Sequence, residues 1–174
     1  MQFSCCALWV PEKSMENLTH TKVSANALVK PIKMTFGEAP LALVVAMASD
    51  KDQFQISGGE LEAVLLTEAD IAGGKSRTTS ASLLRDCWIQ ASKELGIDIV
   101  HDGIAKSREV FNNLLVCSAS KLENGTILVA ESSLMASLKV TNQILRETAG
   151  NQSGIIVVTG SLHIVSMVLA ALSG

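Results

Sequence analysis

The chain has 174 residues, of which 48% are hydrophobic and 18% are charged, so its composition excludes an intrinsically disordered protein. Aromatic residues make up 3%, and the core must therefore be aliphatic, as in parallel sheets covered by helices. The net charge of -3 gives no support to nucleic-acid binding. No apolar run reaches the roughly 18–20 residues that cross a membrane, and the cysteines and histidines show no metal-binding spacing.

The first half of the chain predicts an irregular arm, a helix and two strands. Residues 1–16 show no clear period and lack the features of a signal or transit peptide, so we expect an arm there and a cytoplasmic or mitochondrial protein. From Thr21 to Phe36 the apolar positions fall near helical spacing. The run LALVVAM at 41–47 predicts a strand buried on both faces, and EAVLLT at 62–67 predicts a second one.

The second half alternates strands and helices. It predicts helices over 80–95, 133–147 and 162–172, and strands over 97–100, 126–130 and 154–158. This alternation favours an α/β domain with a largely parallel sheet. Ligands of such sheets bind outside the carboxyl ends of the strands. The segments of interest are therefore the strand-end turns at 48–52, 68–77, 101–103 and 159–163.

Two of these turns have competing interpretations. In Thr159-Gly160-Ser161, the glycine suits a strand-to-helix turn and Ser161 a helix N-cap, whose N–H groups would favour an anion, although capping alone explains Gly-Ser. His163 follows as either a structural histidine or a ligand-facing one. The turn Ser49-Asp50-Lys51-Asp52 can hold a cation or order a neighbouring loop, can present Lys51 to a carboxylate or phosphate, or can be a solvated turn.

The turn at 68–77, EADIAGGKSR, imitates a phosphate loop without completing one. A P-loop needs a glycine where this sequence has Ala69, and the next helix should begin at once rather than after Arg77 and three hydroxyl residues. We therefore interpret the segment as a flexible Gly-Gly loop that carries Lys75 and Arg77. An independent P-loop protein is an alternative that rests on AGGKS alone.

Three segments together resemble a known family. The segments HTKVSANALVK (20–30), LALVVAMASDKD (41–52) and IIVVTGSLHIVSMVL (155–169), in that order, resemble the carboxyl-terminal domain of folylpolyglutamate synthases and dihydrofolate synthases. These are ATP-dependent members of the Mur ligase superfamily. The segments SASLLRDCWIQASKELGI (80–97) and ESSLMASLKVTNQIL (131–145) look like the plant dihydrofolate synthase type.

The resemblance covers about residues 17–172 and implies both a fold and a function. It implies a three-layer, Rossmann-like, mostly parallel sheet with flanking helices over residues 17–174. It also implies one lobe of a folate:glutamate ligase, with ATP and magnesium as the family's cofactors, glutamate and folate as substrates, and an amino-terminal ligase lobe as partner. The residues expected to face the cleft and bind nucleotide or glutamate are His20, Lys51, Asp52, Ser161 and His163.

The chain also departs from the family pattern. No phosphate loop like the family's T-x-G-T-N-G-K-G occurs in it, and the family's D-G-A-H motif reads Asn17-Leu18-Thr19-His20 here. We expect no catalytic residue and no metal ligand in this lobe, and no ligase turnover by the chain alone, because the catalytic electrostatics reside in the family's other domain. The alternative hypothesis is a truncated, non-catalytic paralogue or interaction module.

Overall fold

The computed structural model describes residues 6–8, 32, 34–47, 61–68, 78–96, 98–104, 125–148, 153–160 and 162–173. These residues include six strands and three helices of twelve or more residues. The strands are β1 (Cys6–Leu8), β2 (Leu41–Ala46), β3 (Ala63–Leu66), β4 (Ile99–Ile104), β5 (Thr126–Ala130) and β6 (Ile155–Gly160). The helices are α1 (Ala81–Leu95), α2 (Leu134–Thr148) and α3 (Leu162–Ser173).

The six strands form one sheet in the order β1-β6-β2-β3-β5-β4, and every pairing among these described strands is parallel. After β3 the chain crosses toward the β4 edge, and after β5 it crosses back to β6. Because parallel crossovers are almost always right-handed, opposite directions of travel place the connecting helices on opposite faces of the sheet. The predicted three-layer, Rossmann-like α/β fold is confirmed.

Helix α1 covers one face of the sheet. Its Trp88 is buried with Leu43, Val64 and Leu128 from three neighbouring strands, in a cluster that contains no other aromatic residue among its buried members. Sequence-local signals fix both helix ends. The N-cap Ser80 accepts a hydrogen bond from the Leu83 amide at 3.3 Å, and Gly96 ends the helix at φ 68°.

Helices α2 and α3 cover the opposite face. Leu138 and Ile144 of α2 and Ile164 of α3 pack on strand residues such as Val44 and Leu65, and all are at most 1% exposed. The strands supply both clusters because successive side chains point to opposite faces. A parallel sheet covered on both sides therefore needs the continuous aliphatic runs that the sequence contains.

The structure corrects two predictions made from local pattern. The segment His101-Asp102-Gly103 was predicted as a strand-end turn, but it lies inside β4, where His101 pairs with Ile127 after an irregularity in the register between Ile99 and His101. Pairing with β5 outweighs the turn preference of Asp-Gly. Within the expected irregular arm, Cys6–Leu8 forms an edge strand on β6.

The helix predicted over 21–36 falls mostly outside the described residues. Its described end, Met34–Phe36, is helical, and Gly37 follows at φ 67°. Such a backbone angle favours glycine and ends the helical turn before β2 begins.

Candidate functional site

The carboxyl edge of the sheet brings two of the predicted turns to neighbouring strands. Strand β2 lies beside β6, and their last residues, Ala46 and Gly160, are register partners. The turn at 48–52 follows β2 after Met47, and the turn at 159–163 starts within the last two residues of β6. Because the strands are parallel, both end at the same edge of the sheet, its carboxyl edge.

Gly160 has a structural role at this edge. Its φ is 120°, which side-chain-bearing residues rarely adopt, and a Cβ placed on it would overlap the carbonyl oxygen of Ala46. Only glycine allows β6 to approach β2 so closely where the chain turns into α3. The glycine of the Thr-Gly-Ser turn is therefore explained by packing, whatever the turn binds.

The five predicted site residues are described unequally. His163 lies in the first turn of α3, and its side chain is exposed at the carboxyl edge. His20, Lys51, Asp52 and Ser161 lie outside the described residues. The structure thus places His163 and the strand ends that lead into two of the predicted turns, while the grouping of the five side chains stays a prediction.

The amino terminus of α1 is capped by the chain itself. The Ala81 amide donates to a carboxylate oxygen of Glu68 at 3.2 Å, and the Thr79 amide donates to the carbonyl oxygen of Met47 at 3.1 Å. The carboxylate occupies the position where a helix N-terminus would favour a bound phosphate. Since α1 begins five residues after Ser76, the segment AGGKS does not run directly into a helix as a P-loop does.

A second capped terminus lies on the opposite face, at the end of β5. A carboxylate oxygen of Glu131 accepts from the Ser133 amide at 2.9 Å, and the Ser133 hydroxyl accepts from the Ala136 amide at 3.3 Å. The Ser137 hydroxyl donates to the carbonyl oxygen of Glu131 at 3.3 Å. The sequence carried a signal for this cap, since serine directly before an apolar helical period is a typical N-cap.

Thr67, directly after β3, is a polar residue that sequence reasoning missed. Its side chain is fully buried, and its hydroxyl oxygen has no hydrogen-bond partner among the described residues. Its amide continues the strand pairing by donating to the carbonyl oxygen of Val45 at 2.8 Å. In the sequence Thr67 is the polar residue that ends an apolar run, and this pattern gives no signal of a functional residue.

The described part of the carboxyl edge is rich in oxygen atoms and carries two carboxylates, Glu68 and Glu131. No group of three or more His, Cys, Asp or Glu side chains among the described residues could hold a metal ion. Within the same residues, no helix is both long and apolar enough to cross a membrane.

Comparison with known proteins adds no relative: no family model, no curated protein and no solved structure matches the chain. The structural class of the protein is defined by its geometry alone: it is a three-layer α/β protein in which helices cover both faces of a parallel sheet, and the carboxyl edge of that sheet is polar.

Proposed function

We propose that the chain is the carboxyl-terminal lobe of an ATP-dependent folate:glutamate ligase of the dihydrofolate synthase and folylpolyglutamate synthase type. The observation that carries the proposal is the pairing of Ala46 with Gly160. It makes β2 and β6 neighbours, and the segments that follow these two strand ends in the sequence carry the two motifs of the resemblance, D-K-D and T-G-S-L-H. Two strand ends that are over 100 residues apart in sequence thereby lie beside each other.

The proposal assigns one role to the charged pair Lys51 and Asp52 and another to the three remaining side chains. The family's reaction activates a carboxylate as an acyl phosphate, which the amine of glutamate then attacks to form an amide. Lys51 would bind an anionic oxygen of the nucleotide or of glutamate, with Asp52 orienting its ammonium group. His20, Ser161 and His163 would contact the same ligands from the facing turns. Most contacts to the ATP phosphates and to magnesium are assigned to the family's other lobe, which supplies most of the electrostatic stabilisation.

A charge-removal experiment tests this assignment. Mg-ATP and glutamate are each titrated calorimetrically into the chain, alone and mixed with the amino-terminal lobe of a folylpolyglutamate synthase. Because a hydrogen bond to a charged group contributes roughly 1.5–3 kcal/mol, Lys51→Ala should weaken the binding of Mg-ATP or glutamate about tenfold to a hundredfold. Lys139→Ala is the matched control, since Lys139 is exposed on α2. Equal affinities of both variants and the wild type for both ligands would remove Lys51 from the site.

A specific observation favours a second function, that of a non-catalytic interaction module. Two large hydrophobic side chains are exposed in the first turns of helices that begin at the carboxyl edge. Leu83 of α1 is 52% exposed and Met135 of α2 is 37% exposed. Exposed apolar side chains beside a polar rim are typical of protein-binding surfaces. The same edge could therefore bind a ligase lobe without contributing to turnover.

The variant Leu83→Ser distinguishes specific binding of a ligase lobe from nonspecific hydrophobic association. We expect the variant to weaken capture of the purified amino-terminal ligase lobe about fivefold or more, because a buried leucine contributes roughly 1.5–3 kcal/mol. The control is Leu169→Ser, which removes a comparably exposed leucine, 49% exposed, from the sixth residue after His163 rather than from a first helical turn. Equal loss in both variants, or no capture of the lobe by the wild type, would contradict the module.

A further inference from the structure

Thr67 breaks the pattern of the strand that it follows. Every residue of β3 is aliphatic and fully buried, and Thr67 is buried as completely. Valine has nearly the same shape and would continue the run without a polar atom. A buried hydroxyl without a partner costs folding free energy, so such a group calls for an explanation. Local rules are broken most often at functional sites.

The pleat of the sheet defines the face on which this hydroxyl lies. Ala63 and Leu65 belong to the cluster beneath α2 and α3, whereas Val64 and Leu66 belong to the cluster beneath α1. Since the amide of Thr67 continues the pairing with β2, the alternation places its side chain on the face of α2 and α3.

The neighbour of Thr67 on that face is a carboxylate. Leu66 pairs with Ala130, so the next residues, Thr67 and Glu131, stand beside each other on adjacent strands, which lie about 4.8 Å apart. One carboxylate oxygen of Glu131 accepts from the Ser133 amide. The other oxygen accepts no hydrogen bond from any described residue. The pair therefore offers one hydroxyl and one free acceptor.

The charges around this pair select the kind of group that it can bind. The Glu131 carboxylate opposes an anion, and the positive end of the α2 dipole opposes a cation. An uncharged hydroxyl group satisfies both partners, because it can donate to the carboxylate and also bond the threonine hydroxyl. Carboxylates at the carboxyl ends of parallel strands bind sugar hydroxyls in this way in dinucleotide-binding folds.

We propose that Thr67 and Glu131 form a binding site for a sugar hydroxyl at the carboxyl ends of β3 and β5. The identification of the sugar as the ribose of a nucleotide rests on the proposed function. The observation that the Thr67 hydroxyl has no partner among the described residues is independent of it. The Thr67 oxygen is closed to solvent in the free protein, so the ligand hydroxyl would meet the partly exposed Glu131 first and would bond Thr67 only after displacing the groups that cover it.

The stability of two variants tests the premise without any ligand. Thr67→Val removes the hydroxyl and keeps the shape, so we expect the Tm of the free protein to rise by about 2–4 °C, measured by calorimetry. Thr67→Ser keeps the hydroxyl and should not raise the Tm. An unchanged or lower Tm for Thr67→Val would mean that the hydroxyl already has a partner, and would overturn the proposal whether or not the protein binds nucleotide.

The binding experiment compares Mg-ATP with its 2′,3′-dideoxy analogue, using the full chain mixed with the amino-terminal ligase lobe. We expect the wild type to prefer Mg-ATP about tenfold, and Thr67→Val and Glu131→Gln to abolish that preference, while Lys139→Ala retains it. Equal affinity of the wild type for both nucleotides would overturn the hydroxyl site and leave the proposed function standing. Binding of neither nucleotide would overturn both.

Discussion

At the scale of single residues, the carboxyl edge depends on a glycine that two independent constraints require. Gly160 has φ 120° and abuts the backbone of Ala46, so an alanine there would be both strained and overlapped. Gly96, at the end of α1, has φ 68° but no atom within 4 Å of the position of a Cβ. The two glycines thus separate the cost of the backbone angle from the cost of the close approach.

Gly160→Ala should lower the free energy of unfolding by roughly 2–5 kcal/mol, combining a left-handed penalty of about 1–2 kcal/mol with the cost of overpacking. Gly96→Ala should cost only about 1 kcal/mol, because the backbone angle is its sole penalty. Urea denaturation of the two variants and the wild type measures both values. Equal costs would show that β6 does not pack against Ala46 as closely as the structure indicates.

At the scale of elements, the sequence predicts those that carry their own signals. The run at 41–47 and the capped helix between Ser80 and Gly96 were predicted within one or two residues, because burial on both faces and capping are local properties. Strand β4 was misplaced because its pairing with β5 lies in no local pattern. Its Asp102-Gly103 reads as a turn until β5 lies beside it.

In the candidate site, too, the features with a local sequence signal were predictable and those that depend on strand pairing were not. The strand-to-helix junction after Gly160 was predictable, since a glycine between a strand and a helix is a local signal. The pairing of Thr67 with Glu131 was not predictable, because they are 64 residues apart and meet only through the register of β3 and β5. A glycine at a strand-to-helix junction is visible in the sequence, whereas the side chains that the sheet brings together are not.

At the scale of the whole molecule, the strand order predicts how stability is distributed across the sheet. Strands β2 and β3 have a strand on each side and side chains buried on both faces. Strands β1 and β4 each have one neighbour among the described strands, and the register of β4 is interrupted near its start. Amides of a central strand exchange only by larger openings, whereas an edge strand can detach alone.

Hydrogen-exchange mass spectrometry measures this difference directly. We expect peptides from β2 and β3 to be the slowest to exchange, and peptides from β4 to exchange at least tenfold faster, since a difference of about 1.4 kcal/mol in opening free energy already gives that ratio. Rates are normalised to the same peptides in the urea-unfolded chain, which removes the effect of local sequence. If β4 exchanged as slowly as β2, the sheet would open only as one unit, and the β4 edge would be as firmly held as the centre that carries the candidate site.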